Sequence, residues 1–199
     1  RSEGMSYGMM IAVQLDRKAE FDALWNWSTT YMYQRDPKHP SYGFFSWQVA
    51  YDGTVMDELP APDGEEYYAM ALYFAAHRWG NGKGLYDYAA HANRLLRDMV
   101  HRQPITGMVR QRGGLRPHTV GKEVNDEHGM ILFSPDERNG MTDASYHLPA
   151  FYELWARWGP EEDRAFSARA AAVSRDYFVK AAHPRTGLVP NLGQFDGTP

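Results

Sequence analysis

Cysteine is absent from the 199 residues, which removes disulfides, thiolate metal sites and cysteine nucleophiles together. That suits the cytoplasm, our default expectation, and is also compatible with secretion. No run of about 18 apolar residues occurs, so no segment reads as a spanning helix and no membrane partner is expected. A surplus of positive charge is missing too. The 21 Lys and Arg face 25 Asp and Glu, for a formal net charge of −4. A nucleic-acid binder needs clustered Lys and Arg to displace phosphate counterions, so that class is set aside. The eight histidines show no HExxH or other ligand spacing. Residues 80–84 (GNGKG) lack the Lys-Ser/Thr ending of a phosphate loop. Neither a calcium loop nor a Gly-x-Ser-x-Gly elbow occurs. No metal or cofactor is expected. A signal peptide is not visible, and the chain opens Arg1-Ser2-Glu3 without Met, so an upstream segment is expected.

What is present is apolar and aromatic. Hydrophobic residues make up 43% of the chain, enough for a packed core. Phe, Trp and Tyr supply 14%, which serves a core and equally suits a site that packs sugar rings on aromatic planes. Length gives a prior of one domain at about 150 residues each. Residues 4–15 are apolar almost all round and read as a buried helix. Residues 20–32 follow, with Phe21, Leu24, Trp25 and Ser28 at helical spacing. Residues 42–54 read as irregular or as a short hairpin ending at Asp52-Gly53. A second helical hairpin spans residues 67–76 and 86–101, broken at Trp79-Gly80. A third spans 148–158 and 161–182, broken at Gly159-Pro160. Arg78-Trp79-Gly80 and Arg157-Trp158-Gly159 end two of these helices alike, which suggests a helical-hairpin repeat. Residues 103–143 carry few helix signals and read as a long functional loop region.

The acids carry the candidate chemistry. Glu3 sits at the mouth of the first buried helix. It either favours the positive helix end or, beside the uncharged residues 4–15, is half desolvated and so holds a proton more readily. Asp63 with Glu66 has the spacing of a capping box. Yet acids at the starts of adjacent hairpins would meet at one end of a helical bundle, and a carboxylate pair is the minimum equipment of a glycoside hydrolase. Asp143 repeats the pattern at the third hairpin. Asp57, Glu58 and Glu65 read as solvated. His77, His91 and His101 read as surface or satisfied core residues. Trp47 and Tyr146 lie in irregular segments beside the acids and are the candidate sugar contacts. Trp25, Trp79 and Trp158 read as packing residues.

Four strings are more specific: residues 2–10 (SEGMSYGMM), 61–72 (APDGEEYYAMAL), 143–156 (DASYHLPAFYELWA), and the closing HPRTGLVP and FDGTP. In this order they resemble glycoside hydrolase family 8, most of all its reducing-end xylose-releasing exo-oligoxylanase members. The resemblance spans essentially the whole chain. It implies an all-α fold, an (α/α)₆ toroid of helical hairpins, and hydrolysis of β-1,4-linked xylo-oligosaccharides with inversion. Glu3 matches the family's general acid. Asp63 matches the acid that holds the sugar before the scissile bond, and Tyr146 falls beside the catalytic centre. Other activities of the family, on cellulose, mixed-linkage glucan or chitosan, and a non-catalytic helical-repeat binding module remain as alternatives. The family's general base is an Asp in a Ser/Phe-Asp-x-x-Arg string that follows the Asp-Gly-Thr-Pro turn. The general base is therefore expected beyond Pro199, and Asp196 does not take its place. Six helices make half of a twelve-helix ring, so residues 1–199 are expected to be a partial catalytic domain, inactive alone and monomeric at full length.

Overall fold

The helix Pro62–Trp79 (α3) lies at the centre of the fold because its sequence allows burial on nearly every side. Tyr68, Ala69, Met70, Ala71 and Leu72 are consecutive and buried. In a computed structural model describing residues 1–199, α3 packs against both Ser2–Gln14 (α1) and Pro149–Trp158 (α5). Three further helices pair with these as hairpin partners: Lys18–Tyr31 (α2) with α1, Tyr88–His101 (α4) with α3, and Arg164–Ala181 (α6) with α5. The helical repeat is thus realised, and the fold is helix-rich.

Small residues set the closest approach. A Cβ on Gly64 would stand 2.6 Å from Ser2 Oγ and 2.8 Å from Ser2 Cβ, so α1 and α3 touch at their N-terminal ends. The outer helices show the opposite pattern. In α4, Ala92, Leu95, Leu96 and Met99 form one buried stripe, and Asp87 caps its start by accepting a bond from the Ala90 N–H. Gly80 ends α3 at φ +80°, a conformation open to glycine at little cost. One hydrophobic core runs through the first two hairpins and reaches α5 and α6 through Tyr152, Trp155, Ala170 and Ala171. Trp25 belongs to it, with its indole N–H bonded to the Leu85 carbonyl at 2.9 Å. Trp79 packs on Phe21, and Trp158 packs on Phe74 and His77.

Residues 103–143 are not an unstructured loop. Ile105–Gln111 (β3) and Gly114–Val120 (β4) pair antiparallel in register from Ile105↔Val120 to Gln111↔Gly114. A short pair, Val124–Asn125 and Met130–Ile131 (β5 and β6), follows, and Thr142–Asp143 (β7) pairs with Leu192–Gly193 (β8). The irregular segment after α2 closes as a small hairpin of Gln48–Val49 (β1) with Val55–Asp57 (β2). These ribbons are all antiparallel and two-stranded. They lie between helices rather than forming a sheet that competes with them.

Candidate active site

Three chain segments meet at one open cavity of about 440 Å³. Ser2 and Glu3 come from the first turn of α1, Ala61 and Asp63 from the start of α3, and Tyr146 from the turn Ala144–Tyr146 just before α5. Trp47, Asp57 and Leu59 form a second wall, and Gln111, Phe133 and Ser134 a third. The gathering of Glu3, Asp63, Trp47 and Tyr146, anticipated from the sequence, is therefore present as geometry. The Ser2 N–H donates to the Trp47 carbonyl at 3.0 Å, which ties the start of α1 to the segment that carries the indole. The Arg1 guanidinium lies 4.1 Å from the centre of the Trp47 ring and covers one of its faces.

The two acids differ in environment, and in the opposite sense to the expectation. Glu3 is exposed, so the burial expected there is absent. The uncharged stretch that follows it buries only one side, through Ser6, Met9, Met10, Ala12 and Val13, and leaves Tyr7, Ile11 and Leu15 exposed, so this helix is not buried all round as its sequence suggests. Burial falls instead on Asp63, which is only 7% exposed. Loss of water pushes its carboxyl up to about 7, and the nearby Glu3 and Asp143 charges push the same way. The Gly64 N–H, donating at 2.8 Å, opposes this without cancelling it. An acid near 7 is divided between its two forms at neutral pH, the condition for moving a proton in either direction.

Asp63 and Glu66 do not form a capping box. Helix α3 begins at Pro62, with Ala61 as its cap and no side-chain cap bond. Pro needs no N–H partner at a first helical position. Glu66 points into the core and accepts a 2.5 Å bond from the Tyr152 hydroxyl. Glu65 and Asp57 were expected in solvent and are buried. Glu65 accepts from the Phe45 N–H at 2.8 Å, while Asp57 accepts from the Leu59 N–H at 3.1 Å. Glu58, also expected in solvent, is partly buried and bonds His39. Burial raises Glu65 and Glu66 well above the usual carboxyl range. Glu123, buried and unpartnered, is raised in the same way, and Glu65 and Glu66 add to the effect.

Asp143 is buried and holds the turn before α5, accepting from the Ser145 N–H at 2.8 Å and the Ser145 hydroxyl at 2.7 Å. It acts on Asp63 through its charge and does not line the cavity. Tyr146 stacks on Phe133 at 6.0 Å and 23°. Burial, followed by the Asp63 charge, holds its phenol protonated, well above the ordinary range. Asp196 is exposed and spends one oxygen on the Thr198 N–H and hydroxyl.

The third wall was not anticipated. Gln111, Phe133 and Ser134 all come from the stretch that reads as loop, and no motif marks them. The hairpin that carries Gln111 is pinned beside the cavity by two bonds to Glu58. The Glu58 N–H donates to the Arg110 carbonyl at 2.9 Å, and the Arg110 N–H donates to Glu58 Oε2 at 2.6 Å.

Helix starts that deliver acids to one aromatic-walled cavity are the pattern of a carbohydrate-processing helical-hairpin protein. Residues 1–199 match glycosyl hydrolases family 8 along their whole length, and the chain belongs to that family. It is 46% identical over 200 residues to the reducing end xylose-releasing exo-oligoxylanase of Halalkalibacterium halodurans, covering all of this chain and 47% of that protein. Identity is 44% to the enzyme of the same description from Bifidobacterium adolescentis, again over the whole chain and 48% of the relative. The crystal structure of a GH8 catalytic mutant xylanase from Teredinibacter turnerae in complex with xylohexaose superposes with a TM-score of 0.95 at 58% identity. It is matched over all of this chain and 50% of its own. The chain thus spans about half the length of the relatives it matches.

Proposed function

We propose that residues 1–199 form part of the catalytic domain of an inverting glycoside hydrolase that releases xylose from the reducing end of β-1,4-linked xylo-oligosaccharides. The observation that carries this reading is the placement of Glu3 and Asp63 at one open cavity, in a chain 46% identical to an exo-oligoxylanase. Glu3, exposed at the cavity, is the general acid and protonates the leaving oxygen. Asp63, behind it, holds and orients the adjoining sugar. Its partly protonated carboxyl can donate to one hydroxyl and accept from another. Tyr146 and Trp47 contact the sugar rings. The general base lies on a segment beyond Pro199 and activates water from the opposite face, with the two carboxyls roughly 6.5–9.5 Å apart to admit it. The complete unit is a monomeric (α/α)₆ toroid. In this arrangement α1, α3 and α5 supply half of the inner ring.

The raised carboxyl of Asp63 favours a second reading, in which Asp63 is the proton donor and Glu3 orients the sugar. A leaving-group experiment separates the two. In the full-length chain, Glu3→Gln is expected to lower xylose release from xylotetraose by about 10²–10⁴-fold. It should retain much of its rate on an aryl xylobioside whose phenol leaves without protonation. Asp63→Asn is expected to lose both. The reverse pattern would transfer the acid role to Asp63, and full activity in Glu3→Gln would exclude Glu3 from the reaction. Cello-oligosaccharides in the same assay test the glucanase alternative.

A further inference from the structure

Gln111, the last residue of β3, lines the cavity, and a chain of buried polar groups behind it ends on its amide. His118, on β4, is 6% exposed. Its Nδ1 bonds the Asp136 carboxylate, and its Nε2 lies 3.0 Å from Gln111 Oε1. Asp136 is in turn gripped by Arg138. Arg138 Nε donates to Oδ1 and Nη2 to Oδ2, both at 2.9 Å, and the Arg138 N–H adds a third bond at 2.9 Å. Burial alone would raise the Asp136 carboxyl. The bonds from Arg138 and His118 outweigh it and hold Asp136 far below the usual carboxylate range. Asp136 and, at 2.8 Å, Arg138 Nη2 both lie against Nδ1, so the ring is held with its Nε2 edge toward Gln111. The Gln111 amide bonds Nε2 through its oxygen where that nitrogen carries a proton and through its NH2 where it does not.

We propose that Gln111 is a sugar-binding residue of this cavity and that His118 is the residue that positions it. Half of the Gln111 amide is spent on His118. The other half bonds no protein atom and stands at the cavity wall beside Phe133 and Ser134. Held this way, it meets a sugar hydroxyl without first losing rotamer freedom, the usual cost of a long flexible side chain in binding. The hairpin does not need the relay for its own shape, since it is already pinned through Glu58. The loop that supplies Asp136 and Arg138 also supplies Phe133 and Ser134, so one short stretch builds the wall and braces it. The proposal rests on the reading of the cavity as a xylo-oligosaccharide site.

The test uses the full-length chain with xylotetraose as the probe. Gln111→Ala is expected to raise KM by about 3–10-fold, the worth of one neutral hydrogen bond, with kcat and melting temperature little changed. Gln111→Glu removes the amide N–H whichever end of the amide faces His118, and should give the same rise. His118→Leu should match Gln111→Ala, and the double variant should be no worse than either single one, the non-additivity expected of residues acting in series. An unchanged KM in Gln111→Ala with an active wild type would overturn the proposal alone. Additive losses would overturn the positioning role of His118. A wild type that neither binds nor cleaves xylotetraose would overturn the reading of the cavity together with this proposal.

Discussion

Asp63 concentrates the conflict between stability and chemistry in one side chain. Its carboxyl stands at about 7 in the folded protein against an ordinary 3.8. Between those values the unfolded chain has released the proton while the folded one keeps it, so the folded state binds more protons and stability falls as pH rises. The loss from this group begins near pH 4 and is complete above about pH 7, at a size on the order of 4 kcal/mol. Glu65, Glu66 and Glu123 are raised by burial as well and extend the decline to higher pH. Asp63→Asn removes the titration but keeps the shape. Thermal denaturation should find the variant close to wild type at pH 4 and clearly more stable at pH 8, while its activity drops. Equal melting temperatures at pH 8 would show that Asp63 is not desolvated. From the sequence, Asp63 was visible as an acid at a helix start. Its environment was not, because Ser2 of another helix lies against the neighbouring Gly64 and Asp143 adds its charge from far along the chain, neither of which local pattern encodes.

The contact of α1 with α3 is the element on which the cavity turns, since one helix brings Glu3 and the other Asp63. Gly64 is its point of closest approach, with Ser2 side-chain atoms 2.6 and 2.8 Å from where a Cβ would stand and the Ser2 carbonyl carbon at 3.3 Å. Gly64→Ala would have to push the start of α1 aside. Overpacking of this kind typically costs about 1–3 kcal/mol, and here it would also move Glu3 relative to Asp63. We expect denaturant unfolding to show that loss, and turnover of the full-length chain to fall further than stability does. Wild-type behaviour would mean that the helix ends adjust freely. The helices themselves were legible because their apolar residues recur at helical spacing, and their breaks at Trp79-Gly80 and Gly159-Pro160 follow local rules. The β3–β4 ribbon was not legible. Its strands carry Gly107 and Pro117; β3 alternates in space but not in hydrophobicity, with Gly107 turned in and Met108 out, β4 is mostly exposed, and Glu58 holds the ribbon from outside through Arg110. Glu65 and Glu66 misled for the same reason in reverse. Glu65 read as solvated and Glu66 as a capping-box partner, yet Phe45 and Tyr152, distant in sequence, take them into the interior.

Across the whole molecule, one face of α1 is left uncovered. Tyr7, Ile11 and Leu15 recur every four residues and are 37%, 57% and 68% exposed, beside an open groove lined by Val13, Gln14, Phe74 and Phe151. In the toroid proposed above, this face looks toward the centre of the ring, where the remaining inner helices would lie. Two opposite consequences follow from that single assignment. Residues 1–199 alone should release no measurable xylose and should self-associate through this stripe, because exposed apolar patches of this kind seek partners. Ile11→Glu with Leu15→Lys places an attractive pair at i, i+4 on the same face, and should convert the isolated chain to a monomer in size-exclusion chromatography with light scattering. In the full-length chain the same double substitution should be costly, since two large aliphatic side chains that bury against the other half are each worth roughly 1.5–3 kcal/mol. A fall in melting temperature there, with gained solubility in the 199-residue chain, is the expected pair of outcomes. If the double substitution left full-length stability untouched, α1 would face solvent in the complete protein as well, and α1, α3 and α5 would not be half of a closed inner ring.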